Sequence, residues 1–320
     1  MRAFVFPGQG AQTIGMGREL AAAYPAAAAV FDEVDEALGE KLSALIWEGD
    51  ITDLTLTANA QPALMATSIA ALRALEAEGF GVGDRRGGAG AGAVVRAAFV
   101  AGHSLGEYSA LCAAGAIGLA DTARLLRLRG QAMQEAVPVG EGAMAAILGL
   151  DFAAVDQLAR DAAGDEVCQA ANDNDPGQVV ISGHKSAVER AAELAKERGA
   201  KRALMLPVSA PFHCTLMQPA AEAMQAALAD VAIAAPQVPL VANVRAEAVS
   251  DPDLIRQLLV EQVTGTVRWR ESVVWMGQQG VTAFWEVGAG KALSGMIRRI
   301  LRGAECRNIG SPADIAALKS

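Results

Sequence analysis

The segment Gly102-His103-Ser104-Leu105-Gly106 sets a serine between two glycines, directly after the apolar run 97–101 and directly before the small-residue stretch 107–114. A strand, a GxSxG turn and a helix in that order form a nucleophile elbow. The glycines allow a sharp turn and a close approach of helix to strand, so the serine hydroxyl projects from a helix N-terminus. At that terminus the Leu105 N–H is placed to stabilise an oxyanion. In a chain with 33 glycines the five-residue pattern alone is weak, and it is the flanking strand and helix that give it meaning.

A serine nucleophile needs a base, and the chain has three histidines, His103, His184 and His213. His103 adjoins Ser104 in the turn, so the two side chains diverge and packing is its expected role. His184 follows Ser182-Gly183 at the start of a polar helix, where an exposed position is expected. His213 lies in the loop 207–214, between a strand and a helix whose N-terminus favours a neutral, basic imidazole. It is the expected base, against the plainer reading of an ordinary loop histidine.

Arg129 is the third residue of interest. On a helix over 121–136 at about 100° per residue, it falls in the middle of the arc of Leu125, Leu126, Leu128, Ala132, Met133 and Ala136. Arg124 and Arg127 fall on the other side and read as solvated. A guanidinium pointing the way the core residues point requires an anionic partner. Two readings stay open, a structural salt bridge with a core Asp or Glu and a carboxylate-binding site beside Ser104. The loop Gly8-Gln9-Gly10-Ala11-Gln12-Thr13 has Thr13 where a dinucleotide fingerprint needs glycine, and Gly288-Ala289-Gly290-Lys291 lacks phosphate-loop spacing. The first loop suits another purpose, since a second oxyanion donor comes from a neighbouring strand end, and the Gln9 N–H is so placed.

These residues need a scaffold. The chain of 320 residues, 52% of them hydrophobic and 20% charged, predicts about two globular units at roughly 150 residues each. Short apolar runs alternating with helical patterns indicate an α/β architecture with a largely parallel sheet. Its first strand is expected at 3–6, with helices near 18–38 and 62–78. From 142 to 208 the rhythm changes to strand 143–148, helix 152–163 capped by Asp151, strands 167–171 and 178–182, helix 186–198 and strand 202–208. That βαββαβ order is the ferredoxin-like pattern, inserted as a subdomain over 139–207 between the halves 1–138 and 208–320 of a larger unit. A helix near 215–228, a strand near 239–243, helices near 252–263 and 270–279, and a last strand and helix within 283–301 complete the expectation. Residues 81–92, with six glycines, read as a mobile surface loop without chemistry.

A net charge of −9 and 4% aromatic residues argue against nucleic acid as a partner. Four cysteines without a CxxC pair point to neither a zinc site nor a disulfide framework, which suits a reducing compartment. The N-terminus reads as no signal peptide and no run of about 18 apolar residues occurs, so no membrane association and a cytoplasmic location are expected.

Phe6-Pro7-Gly8-Gln9-Gly10-Ala11-Gln12, Gly102-His103-Ser104-Leu105-Gly106-Glu107-Tyr108, 127–133, 171–178 and Pro211-Phe212-His213 together strongly resemble the malonyl-CoA:acyl carrier protein transacylases of bacterial fatty acid synthesis. The resemblance spans most of the chain, in the family's order. It implies Ser104 as nucleophile, His213 as base, Arg129 as clamp on the free malonyl carboxylate, and the Gln9 and Leu105 N–H groups as oxyanion hole. It also implies that the Gln262 main-chain carbonyl orients the histidine, and that a Ser-His dyad replaces the usual triad. Phe212, just before the base, is expected to fill space beside the acyl Cα. The implied fold is an α/β-hydrolase-like large subdomain carrying the ferredoxin-like insertion.

The implied reaction is ping-pong acyl transfer from malonyl-CoA to the pantetheine thiol of an acyl carrier protein, with no metal or redox cofactor. A serine esterase or thioesterase, using water as acceptor, is the rival from another class, and a non-catalytic carrier-binding module is a second. The carrier proteins of this pathway are strongly acidic, so docking on this acidic chain requires a local basic patch. Lys196, Arg198, Lys201 and Arg202 form one candidate, and Arg298, Arg299 and Arg302 another.

Overall fold

A computed structural model describes residues 1–82, 95–208 and 210–319. Its strands, in chain order, are β1 Arg2–Phe6, β2 Phe80–Gly81, β3 Val95–Arg96, β4 Phe99–Gly102, β5 Gly142–Leu148 and β6 Cys168–Asp175. They continue with β7 Gln178–His184, β8 Arg202–Met205, β9 Leu240–Val241, β10 Ala248–Val249, β11 Ala283–Val287 and β12 Glu305–Ile309.

A six-stranded sheet runs β10-β9-β4-β1-β11-β12, parallel throughout except for the edge strand β10. Its central strands are buried on both faces; β1 reads as the apolar run Ala3-Phe4-Val5-Phe6, and β11, Ala283 to Val287, is apolar but for buried Glu286, whose carboxylate accepts the Leu293 and Ser294 N–H groups. The pairing of β1 with β4 places Phe6 opposite Gly102. The loop carrying Gln9 and the turn carrying Ser104 therefore leave the sheet side by side at its carboxyl edge, where open parallel sheets hold ligands.

A separate four-stranded sheet, ordered β6-β7-β5-β8, is antiparallel throughout, and its elements follow the βαββαβ order. The two-residue alternation of β5 divides its side chains between two cores. Ala143, Ala145 and Ile147 join Val155, Leu158, Val188 and Ala191 under the two local helices, whereas Met144 and Ala146 face the main core. The Asp151 carboxylate caps the first of those helices at the Ala154 N–H.

Several boundaries differ from the sequence expectation. The helix expected over 18–38 is two, Arg18–Ala23 and Pro25–Leu38, because extended Tyr24 precedes a proline at the first helical position. The helix expected from 62 begins at Thr57 and holds Pro62 inside its first turns. Strand β8 ends at Met205 rather than 208, β12 follows what was read as the last strand, and short helices cover 42–48, 51–55 and 312–316. Strand β6 runs through polar Asn172-Asp173-Asn174-Asp175 because residues from outside this sheet pair with its backbone and with three of the four side chains. Val267 bridges Asn172, Arg270 pairs with Asp173 at 2.7 Å, His103 Nε2 lies 2.8 Å from the Asn174 Oδ1, and Arg299 pairs with Asp175 at 2.7 Å. Arg127, read as solvated, has a side chain only 15% exposed, held by the Ala58 carbonyl and by Glu40. The glycine-rich stretch from 83 onward lies outside the described residues. Among those described, no helix is long and apolar enough to cross a membrane.

The two motif glycines are required sterically. A Cβ on Gly102 would stand 1.9 Å from the Gly106 carbonyl, and one on Gly106 would stand 2.2 Å from Phe6 O. Gly102→Ala therefore forces backbone apart rather than a flexible side chain aside. It is expected to destabilise by about 1–3 kcal/mol or more, read as a lower denaturation midpoint at unchanged m-value.

Candidate active site

Ser104 is the N-cap of helix Leu105–Ala113, with φ 54° and ψ −113°, a left-handed conformation that a non-glycine residue adopts only where its surroundings enforce it. Leu105 is the first helical residue, so no carbonyl four residues back in the helix claims its N–H. The Gln9 loop packs directly on this turn, for a Cβ on Gly8 would lie 2.7 Å from His103 O. The Gln9 side chain is 3.3 Å from the Thr57 hydroxyl.

His213 Nε2 lies 2.8 Å from Ser104 Oγ, and His213 Nδ1 lies 2.9 Å from the Gln262 main-chain carbonyl. A carbonyl only accepts, so Nδ1 carries the proton and Nε2 is the acceptor facing the serine hydroxyl. Burial, and after it the Arg129 guanidinium, push His213 down to about 3, which keeps the ring neutral. His103 is turned away onto Asn174, and His184 accepts from the Val167 N–H in the small sheet.

Arg129 is 1% exposed. Its helix, Leu119–Glu135, packs closely on helix Thr57–Ala77 because Gly130 has no side chain, a Cβ there lying 2.6 Å from Ala58 Cα. That approach brings Nη1 to 2.7 Å from Gln61 Oε1, while Nη2 donates to Gln262 Oε1 at 2.8 Å and to Ser104 Oγ at 3.2 Å. The Tyr108 ring lies 5.6 Å from the guanidinium carbon. The acceptors within hydrogen-bond reach are neutral oxygens, Nε has no partner, and no carboxylate pairs with Arg129 among the described residues. The structural salt bridge weighed for this residue is absent there. Glu107 is the acid whose charge acts on it from farther off, and burial raises Glu107 to about 7.

Gln9, Ser104, Leu105, Arg129, Phe212 and His213 line one cavity of about 340 Å³. Gln262 stands behind it, reached through its carbonyl and its amide. Met144 and Asn172 of the four-stranded sheet and Leu206, just after its strand β8, line the same cavity. Gln61, Glu107 and Asn243 were missed by sequence reasoning. For Gln61 a signal existed, a polar side chain at the start of the mostly apolar stretch 60–75. Nothing local marked Asn243, whose role is set by a contact across 139 positions.

The arrangement can transfer acyl groups through serine. Residues 3–313 match the family model of the acyl transferase domain. Over 315 residues the chain is 48% identical to a malonyl CoA-acyl carrier protein transacylase of Bacillus subtilis, covering 98% of this chain and 94% of that protein. The crystal structure of an acyl-carrier-protein-S-malonyltransferase from Bartonella henselae superposes with a TM-score of 0.92 at 55% identity, covering 99% of this chain and 98% of that one. A malonyl-transacylase solved with its type II PKS acyl-carrier protein gives a TM-score of 0.92 at 41% identity, with 99% and 98% covered. With matches of this extent in sequence and in fold, the chain belongs to the acyl transferase domain family and, within it, to the malonyl CoA-acyl carrier protein transacylases.

Proposed function

We propose that the chain moves a malonyl group from malonyl-CoA to the phosphopantetheine thiol of an acyl carrier protein through an ester on Ser104. The observation that carries this reading is Arg129, a buried cation 3.2 Å from Ser104 Oγ with neutral oxygens as its near acceptors. An acyl group with a free carboxylate supplies the missing anion while its thioester carbonyl faces the serine.

His213 Nε2 takes the hydroxyl proton as Ser104 Oγ attacks the thioester carbon, and the N–H groups of Gln9 and Leu105 receive the oxyanion. The tetrahedral species collapses, the C–S bond breaks, and CoA leaves with the proton that His213 returns. The pantetheine thiol then gives its proton to His213 and attacks the ester carbon. Ser104 departs and regains the proton. Gln262 holds the ring through its carbonyl, so a Ser-His dyad serves without a carboxylate. Phe212 packs beside the acyl Cα. No step uses a metal or redox group. The scaffold reads as an α/β-hydrolase-like subdomain, 1–138 with 208–320, and a ferredoxin-like insertion, 139–207, that supplies the far wall of the cavity.

The decisive experiment is incubation with malonyl-CoA followed by intact mass. A malonyl adduct is expected, lost in Ser104→Ala. Adding acyl carrier protein is expected to move the group to its thiol faster than water releases it, whereas dominant hydrolysis identifies a thioesterase.

Removing Arg129 strands the substrate carboxylate in a largely apolar pocket, at a cost of about 3–5 kcal/mol. Arg129→Ala is thus expected to lower malonyl kcat/KM by roughly 10²- to 10³-fold or more, while acetyl transfer holds or rises. Parallel loss of both activities with a lowered Tm would instead make Arg129 a structural residue.

The two candidate basic clusters are partly merged by the fold. Lys201, Arg298, Arg299 and Arg302 line one open groove with Asp175 at its floor, whereas Lys196 and Arg198 are paired with Glu193 and Asp161. Arg299 is engaged by Asp175, and Arg298, Arg302 and Lys201 form no ion pair among the described residues. An acidic carrier protein fits this groove. Arg298→Glu with Arg302→Glu is expected to raise KM for the carrier about tenfold or more, as added salt does, with KM for malonyl-CoA within about twofold. An equal effect from Lys196→Glu with Arg198→Glu, and none here, would move docking to the insertion.

A further inference from the structure

Three polar side chains lie beside the cavity without lining it, each at most 1% exposed: Glu107, Asn243 and Gln262. Proton transfer uses none of them directly. Asn243 spans the elbow, its Oδ1 accepting the Ser104 N–H at 2.8 Å and its Nδ2 donating to Gly102 O at 2.7 Å. Asn243 is itself fixed by its own main-chain N–H, which donates to Glu107 Oε2 at 3.0 Å. The same oxygen accepts from Gln262 Nε2 at 2.9 Å, and that nitrogen also donates to Ser104 O at 3.0 Å.

Gln262 is thereby left one orientation. Its amide nitrogen faces three oxygens, those of Glu107 and Ser104 and, at 3.4 Å, Asn243 Oδ1, and its oxygen faces a guanidinium that can only donate. One carboxyl oxygen thus sets two amides, the one that grips the serine backbone and the one that receives Arg129. Oε2 performs this in either protonation state, since both of its neighbours are N–H donors. A residue at φ 54° and ψ −113° persists only where its surroundings over-determine it, and this network supplies contacts to the Ser104 N–H and C=O groups and to Gly102 O.

We propose that Glu107 is a positioning residue for acyl transfer, acting on Ser104 through Asn243 and on Arg129 through the Gln262 amide. This rests on Ser104 as nucleophile, so the test begins with the unaltered protein. If malonyl-CoA leaves no adduct on its Ser104, the nucleophile reading fails and this inference with it. If the adduct forms, the single-turnover rate constant for its formation is compared among variants, a quantity that does not depend on the fraction folded.

Asn243→Ala and Glu107→Leu are each expected to slow acylation about tenfold or more, and the double variant no more than about threefold beyond the slower single, because the action of Glu107 on Ser104 runs through Asn243. Glu107→Gln keeps an acceptor oxygen in place and is expected to recover to within about fivefold of the unaltered rate. Asn243→Asp preserves the volume and serves where the alanine variant does not fold. It predicts the same loss, since an oxygen then faces Gly102 O. Single variants within about twofold of the unaltered rate, losses that multiply in the double variant, or Glu107→Gln as slow as Glu107→Leu would each overturn the proposal.

Discussion

A guanidinium withdrawn from water is the constraint around which this molecule is arranged. An isolated cation in a low-dielectric interior carries a large desolvation penalty, and Arg129 meets it with the dipoles of Gln61 and Gln262 and the face of Tyr108. Those groups come from three different helices, Thr57–Ala77, Pro252–Thr264 and Leu105–Ala113. Their mutual packing must therefore be accurate to a hydrogen-bond length. Gly130 gives the approach to helix Thr57–Ala77 its clearance. Dipoles hold a cation without neutralising it, which keeps the cavity attractive to an anion.

The four-stranded antiparallel sheet is bound into the same geometry by the polar half of β6. A strand carrying Asn172-Asp173-Asn174-Asp175 into a buried seam is unfavourable where such groups go unpaired, and the side chains of Asp173, Asn174 and Asp175 each meet a partner from outside this sheet, while Val267 joins the strand backbone at Asn172. One of those partners is His103, the residue before Ser104. The seam thus connects the four-stranded sheet to the elbow and keeps Met144, Asn172 and Leu206 in the lining of the cavity. The sheet packs its own helices on one face and joins the main core on the other.

The parts of this design that sequence could reveal are those written in local periodicity. The elbow was legible because strand, glycines, serine and helix are contiguous. Arg129 was legible because helical spacing placed it among Leu125, Leu126 and Met133, and the βαββαβ rhythm because each element carries its own alternation. Contacts across distant positions were not legible. The polar end of β6 looks like a loop until Arg270 and Arg299 are brought to it from about a hundred positions away. Arg127 looks solvated for the same reason, since Glu40 and Ala58 reach it from other helices and loops. Asn243 and Glu107 do their work through backbone groups of the elbow and of each other, which no side-chain pattern records.

Electrostatics ties the base to the anion site. Arg129 is the second cause, after burial, of the low proton affinity of His213. An empty site therefore holds a neutral imidazole correctly oriented for a proton from Ser104 yet a poor acceptor of it. On the proposed reading, a substrate carboxylate paired with Arg129 cancels that cation's field at the ring. The part of the depression of His213 that Arg129 causes is relieved when the acyl group is seated and returns when the site empties, while burial acts throughout. Attack by serine is thereby favoured with the acyl group present, and idle alkoxide formation in the empty site is disfavoured, by the same guanidinium that selects the substrate.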